Sequence, residues 1–236
     1  MFESLQLLWI APPGRGLTLL SGLVSTMQIA FGAYALGLCI GLLGALGKIN
    51  GPAPLRWLLT AYTTLIRAVP ELVLILLLYY AGTSALNNLL ESLGYEPIDI
   101  SGLVAGIVVL GFVQGAYSTE VIRAAMLAVP RGQTEAALAF GMSRTQSVYR
   151  VLIPAMIPFA LPGLANLWLI VTKDTALLAV VGFFELASAT KTAAGSTRNY
   201  LLFYSAAAVI YLCVTLLSNV VFGRIERRYR RGQAAA

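Results

Sequence analysis

Few side chains of this sequence could do chemistry, and most of them stand inside long apolar runs. Asn166, Lys173, Asp174 and Thr175 share one such run. Glu120 and Arg123 lie three residues apart near the end of another, and Arg67 and Glu71, four apart, flank Pro70. Spacings of three and four put side chains on one helix face, so Glu120 and Arg123 read as an internal ion pair, with gating as the alternative. Arg67 and Glu71 stand in the weaker order for a helical pair and fit a structural role as well as a functional one. Lys173 beside Asp174 is either a mutually compensated pair near the outer interface or, with Asn166 and Thr175, part of a wet pathway. Polar groups at membrane depth face a bundle interior or such a path. This set supports holding and passing a polar solute, not making or breaking bonds.

The absences agree. The chain contains no His, which removes the commonest metal ligand and general base. It has no G-x-x-x-x-G-K-S/T phosphate loop, so ATP hydrolysis by that route is excluded. No metal site, no bound cofactor and no catalytic residue are expected in this chain. Cys39 and Cys213 both sit within apolar runs and read as buried structural thiols without a disulfide.

These residues must be positioned by a membrane fold. The 236 residues are 58% hydrophobic and 11% charged, with a mean hydropathy of +0.81; a soluble domain carries roughly 25% charged residues. Several apolar stretches exceed the ~20 residues that cross a bilayer as helix. They lack the period-two alternation of barrel strands. The fold class is therefore all-α, a polytopic bundle, because only helices satisfy their own backbone in lipid.

Five transmembrane helices are expected. The first covers about Leu17 to Leu46, with Ala33, Gly37 and Gly41 making a small-residue face for close packing. After the basic loop Lys48–Arg56, either one helix kinks at Pro70, or Leu55–Ala68 lies along the interface and the second span starts at Pro70. The third span covers about Leu103 to Val129. The fourth runs from near Val151 to near Phe184, bent at Pro154, Pro158 and Pro162. A polar loop, Ala187 to Asn199, leads to the fifth, about Leu201 to Phe222.

Charge sets the expected orientation. One set of connections and the tail hold Lys48, Arg56, Arg131, Arg144, Arg150, Arg224, Arg227, Arg228, Arg230 and Arg231; the other set holds Arg15, Lys191 and Arg198 beside Glu91, Glu96 and Asp99. Cationic segments stay inside, so the N-terminus is out and the C-terminus in. Residues 1–16 then form an extracytoplasmic segment, 17–223 the membrane domain, and 224–236 a basic cytoplasmic tail. The net charge of +6 follows from topology and anionic headgroups, and no nucleic-acid partner is implied. The opening Met-Phe-Glu-Ser lacks the basic start of a cleavable signal.

Between the third and fourth spans lies a polar island, about residues 130–154. Gln133–Phe140 is built of helix formers, Gly141 suits a left-handed helix end, and Ser143-Arg-Thr-Gln146 fits a capping box. The order helix, glycine turn, helix, Pro154 makes a rigid knob. Caps alone do not separate a docking knob from an ordinary connector.

A resemblance separates them. Glu135-Ala136-Ala137, three residues, Gly141, nine residues, then Val151-Leu-Ile-Pro154 resembles the EAA loop of ABC importer membrane subunits, E-A-A-x3-G-x9-I-x-L-P, with Val for the isoleucine and Ile for the leucine. Gly115–Arg123, Val129–Gln133, Arg67–Glu71 and Lys173–Leu177 resemble the polar amino-acid branch. Ala61–Arg67 looks closer still to the Q-type subunit of histidine/lysine/arginine/ornithine importers. The resemblance extends from about residue 17 to 231. It implies a type I ABC importer permease fold in a bacterial inner membrane, carrying amino acids. It also implies two ATP-binding subunits that use ATP and Mg, a second permease subunit and an extracytoplasmic amino-acid-binding protein. The coupling residues would be Glu135, Ala136, Ala137, Gly141, Ser143 and Arg144. In many related permeases an acid follows the residue matching Asn166; here it is Leu167, then Trp168. That departure implies a paralogous partner supplying the acidic contact, hence a heterodimer.

Two rival classes fare worse. A secondary transporter would be expected to show internal repeats or matched broken helices, and none is visible; a channel-like membrane protein without an ATPase partner is the related alternative. An intramembrane enzyme would need a nucleophile with a base, or metal ligands.

Overall fold

The computed structural model describes residues 6–9, 14–98 and 100–230. Asp99, Arg231 and the ends of the two terminal segments named above lie outside the described residues, and of Arg230 only the backbone is described. The regular elements along the described chain are α1 (Gly16–Asn50), α2 (Ala53–Ala68), α3 (Glu71–Ser92), α4 (Gly102–Ala128), α5 (Arg131–Ala139), α6 (Arg144–Ser147), α7 (Ile153–Asp174), α8 (Leu186–Thr197) and α9 (Tyr200–Arg230). A π turn, Val148–Leu152, joins α6 to α7, and a 3-10 segment, Thr175–Val181, prolongs α7. Five stretches are long and apolar enough to cross a membrane: Gly16–Asn50, Glu71–Ser92, Gly102–Ala128, Arg144–Val181 and Tyr200–Tyr229.

The bundle is organised around α4. Its buried residues, including Ala105, Val109, Leu110, Val113, Ala116, Ile122 and Ala125, point in every direction around the helix. Its main partner is α1, through glycines on both helices. A Cβ on Gly37 would lie 2.9 Å from Gln114, and one on Gly41 would lie 2.5 Å from the Ser118 Cβ. In return Gly111 receives Leu36 and Gly115 receives Ile40. Pairing rises along both chains together, so α1 and α4 run in the same direction, as alternating first and third spans must. Small residues let the backbones close, which in lipid replaces the hydrophobic drive. The closeness has a cost: the buried Ser118 hydroxyl finds no hydrogen-bond partner among the described residues, a loss of roughly 1–3 kcal/mol.

Above this seam Ile29, Ala33, Ile75, Val109, Trp168, Val171 and Leu178 form one apolar core. Toward the other end Ala45, Ile122, Met126, Val129, Met156 and Ala160 form a second. By contrast α3 buries only Leu74 and Ile75, and Leu212, Leu216, Leu217 and Val220 of α9 are exposed. These faces are too apolar for water and match lipid or a neighbouring subunit.

The second span follows the second of its two readings, a separate helix and then a span that starts at Pro70, while two other expectations need correction. α2 ends before Val69, which is extended as a residue preceding proline tends to be, and Pro70 caps α3. Cys39 and Cys213 are free as expected but exposed, not buried; an apolar run does not say which face of its helix is covered. The polar loop at Ala187–Asn199 is α8, a short helix that packs against α1 and α9. Its small residues Ala189, Ala193 and Ala194 are buried. The fourth span continues through Pro158 and Pro162, in keeping with its expected course.

The sequence pattern missed the residue that starts α8. Glu185 is fully buried, and its carboxylate accepts hydrogen bonds from Ala187 N at 2.7 Å and Ser188 N at 2.6 Å. The Tyr211 hydroxyl of α9 donates to it at 3.4 Å, and Thr26 of α1 accepts from Leu186 N at 3.0 Å. The acid thus caps α8 and ties it to two spans. Burial pushes its pKa up, against the donors that favour the charged form. A raised native pKa means the folded chain holds this proton more tightly than the unfolded one. Its contribution is fully present below the ordinary glutamate range and is lost as pH rises through the native value. Glu185→Gln is therefore expected to flatten the fall of melting temperature with rising pH in detergent. Glu185→Ala loses the cap at all pH values, about 1 kcal/mol or more. An unchanged pH profile in the Gln variant would count against this assignment.

Candidate functional site

The polar island folds as a hairpin. Val129 is extended, Pro130 starts α5, and α5 ends in two tight hydrogen bonds, Gly141 N to Leu138 O at 2.9 Å and Met142 N to Ala137 O at 3.1 Å. This closure needs a left-handed residue, and Gly141 has φ +81°. Ser143 and Gln146 then complete a reciprocal capping box, with Gln146 N donating to Ser143 Oγ at 3.2 Å and Ser143 N donating to Gln146 Oε1 at 2.9 Å. Contrary to expectation, the second helix does not end before the span. α6 runs through the π turn directly into α7. The wider turn stands just before Pro154, which lacks an N–H and crowds the carbonyl four residues back. The hairpin is therefore a rigid extension of the fourth span.

Within it Glu135, Ala136, Gly141, Ser143 and Arg144 are exposed, and Ala137 is buried against the bundle. Phe140 is 88% exposed, and Leu138 and Tyr149 stand out beside it. An apolar tip held on a capped turn has the character of an anchor for another protein. Phe140 was not singled out by the residue pattern; its signal was an aromatic side chain directly before the turn glycine. The hairpin leans on the bundle across a recess of about 370 Å³ that includes Ile49, Asn50, Met126, Thr134 and Arg144.

The charged residues fall into two groups. Glu120 and Arg123 do pair, with Arg123 Nε and Nη2 donating to Glu120 Oε2 at 3.0 and 2.9 Å. A third member joins them from the end of α1. Lys48 Nζ lies 2.5 Å from Glu120 Oε1 and 2.9 Å from the buried Thr63 hydroxyl of α2. One carboxylate thus ties α1, α2 and α4 together. Sequence spacing reveals the Arg123 pair but not Lys48, which is 72 residues away.

Deeper in the bundle Glu71 turns to Asp174 and to the Tyr117 hydroxyl of α4. Among the described residues neither Arg67 with Glu71 nor Lys173 with Asp174 forms an ion pair. The break at Val69–Pro70 separates Arg67 from Glu71. Lys173 is exposed while Asp174 points inward. Tyr117 lies past the middle of α4, so Asp174 is not at the outer edge. Thr175 is fully buried and donates to Thr172 O at 2.9 Å, and Asn166 is exposed. Leu167 is buried within the chain's own core, where its carbonyl accepts from Gln114 Nε2 at 3.1 Å. Trp168 beside it packs on Phe31 and Tyr34 and donates to Ser218 Oγ at 2.9 Å. The Leu167 side chain does not line an open path, so its departure from the family acid says little about where substrate is held.

A hairpin rigidly joined to a span, in a bundle of five apolar helices, sets this chain beside transport proteins. Residues 37–231 match the family described as binding-protein-dependent transport system inner membrane component. The chain belongs to this family. It is an all-helical, multi-pass permease component. Its relatives include the histidine/lysine/arginine/ornithine transport system permease protein HisQ of Escherichia coli K12, 44% identical over 91% of this chain and 94% of the relative. The nopaline transport system permease protein NocQ of Agrobacterium fabrum is 41% identical over 97% and 98% of the two chains. Among solved structures, an amino acid ABC transporter with histidines superposes with a TM-score of 0.75 at 32% identity, covering 89% and 94%. The MetNI methionine transporter shares the fold, with a TM-score of 0.77 at 21% identity. The same permease architecture therefore serves chains of quite different sequence.

Proposed function

We propose that this permease is the membrane-spanning subunit of an ATP-driven importer of basic amino acids such as histidine, lysine, arginine and ornithine. The similarity to HisQ supports that substrate class. The exposed, capped hairpin around Gly141 is the observation that carries the coupling role. Glu135, Ala136, Ala137, Gly141, Ser143 and Arg144, with Phe140 at the tip, form the dock for separate ATP-binding subunits. Those two subunits bind ATP and Mg and do the hydrolysis; this chain holds no cofactor. A second permease subunit, paralogous to this one, completes the pathway against the apolar faces that α3 and α9 leave uncovered. An extracytoplasmic binding protein delivers the amino acid. Glu71, Asp174 and Tyr117 are the polar groups best placed to meet it, with Arg67, Lys173, Asn166 and Thr175 around them. The chain sits in a bacterial inner membrane.

Reconstitution with co-expressed partner subunits tests this reading. Uptake of labelled arginine or lysine that depends on ATP and on the binding protein is expected. Uptake that persists without any ATPase subunit would mean a secondary transporter.

Orientation is tested separately. Positive-inside bias places Arg144 and Arg228 in the cytoplasm and Glu96 and Thr192 outside; all four are exposed. Single cysteines at these positions, in a background without Cys39 and Cys213, are expected to react with an impermeant reagent in spheroplasts only at 96 and 192. Reaction at 144 would reverse the topology.

A further inference from the structure

The end of the bundle that carries the hairpin holds a second polar feature, apart from the hairpin and sharing Arg67 with the proposed solute-facing groups. A recess of about 620 Å³ opens between the end of α1, the length of α2 and the last turns of α4. Lys48, Arg56, Arg67 and Arg123 line it, with Glu120 as the one acid. Glu120 is engaged by Lys48 and Arg123. Arg56 and Arg67 are exposed and make no ion pair among the described residues. The recess therefore has a surplus of three positive charges. It also presents the Thr60 and Thr64 hydroxyls, both exposed.

The helix that frames it is built for a boundary. Arg56, Trp57, Thr60, Thr63, Thr64 and Arg67 recur at three- and four-residue spacing and so share one face of α2. Trp57, on the same face, is 76% exposed at the rim, while Leu58 and Leu65 stand on the far side of the helix. Tryptophan and arginine together at a helix start mark the headgroup level of a bilayer. Basic pockets between spans on the cytoplasmic side take anionic headgroups.

The geometry points to this recess as a binding site for a phosphate-bearing anion, filled by the phosphodiester of an anionic phospholipid whose acyl chains leave past Trp57 at the rim. Arg56 and Arg67 supply the charge-assisted hydrogen bonds, and Thr60 and Thr64 the neutral ones. Inorganic phosphate would use the basic and hydroxyl groups alone. A lipid also uses Trp57, and binding it would brace α2 against α4 beside the Lys48–Glu120–Arg123 tie.

The test is native mass spectrometry of the permease purified with its co-expressed partner subunits and titrated with phosphatidylglycerol, with phosphatidylcholine as the neutral control. Phosphatidylglycerol is expected to bind preferentially. The double change Arg56→Gln with Arg67→Gln is expected to weaken it about thirtyfold, at ~1 kcal/mol per arginine near the surface. Both positions are exposed, so an unchanged melting temperature separates lost binding from misfolding. Adding sodium phosphate distinguishes the source. Lipid retention in its presence, together with loss on Trp57→Gln, assigns the site to lipid. Displacement by phosphate, with the Trp57 variant unaffected, assigns it to a free anion. Phosphatidylglycerol binding that is the same in wild type and the arginine variant, or no stronger than phosphatidylcholine, would overturn the proposal.

Discussion

Gly141→Val is expected to abolish transport by the assembled importer while leaving the chain inserted and correctly oriented. The turn that ends α5 closes only with residue 141 at φ +81°. A β-branched side chain in that conformation costs roughly 1–2 kcal/mol and finds relief by opening the turn. Space is not the obstacle, because nothing lies within 4 Å of a Cβ built there. The penalty is therefore purely one of backbone conformation. An opened turn displaces Phe140 from its exposed position and disconnects α5 from the Ser143 cap. Since α6 continues into α7, the same change uncouples whatever docks on the hairpin from the fourth span. Gly141→Asn, which tolerates left-handed backbone, is expected to keep much of the activity. Co-purification of the ATP-binding subunits and ATP-driven uptake are the two measurements. Full uptake by the Val variant would show that the turn conformation is not required for coupling.

The second large effect is on stability. Glu120→Ala removes the one carboxylate shared by Lys48 and Arg123. The Lys48 side chain is 10% exposed, so its ammonium keeps Thr63 but loses its counter-charge in a region of low dielectric. Removing one member of a buried pair costs about 3–5 kcal/mol. The lower end applies here, because Arg123 is 35% exposed and turns to solvent. A fall of several degrees in melting temperature, with reduced yield from membranes, is expected. Combining Glu120→Leu with Lys48→Met removes both buried charges and is expected to recover most of the loss, since apolar replacements of a buried pair are often neutral. A double variant no more stable than Glu120→Ala would mean that the carboxylate acts through something other than the lysine. The same single change leaves the recess on α2 more basic, so its effects on fold and on anion binding oppose each other.

Much of this protein is legible in its residues because lipid leaves few choices. A run of apolar residues longer than a bilayer is thick has to be a helix, and five such runs are found where hydropathy places them. Local chemistry is equally transparent where it depends on neighbours in sequence. Ser143 and Gln146 form their capping box because both partners lie within one turn. Gly141 takes the left-handed form because the helix must stop there. Glu120 and Arg123 meet because three residues bring them to one face.

Only the tertiary structure decided the rest, and the failures share one cause. Hydropathy does not distinguish a lipid-facing surface from a buried one, so Cys39 and Cys213 were placed on the wrong side of their helices. Polarity suggests a loop at Ala187–Asn199, but Glu185 caps a helix there through the amides of Ala187 and Ser188 and is itself held by Tyr211 of α9. Spacing pairs Arg67 with Glu71 and Lys173 with Asp174, yet the helix break at Val69–Pro70 and the inward turn of Asp174 bring Glu71 and Asp174 together instead. Lys48 reaches Glu120 across 72 residues. Within the membrane, composition says that a charged side chain must find a partner, and periodicity names its neighbours along the helix. Which distant helix supplies that partner depends on how the small residues of α1 and α4 let the spans close upon one another.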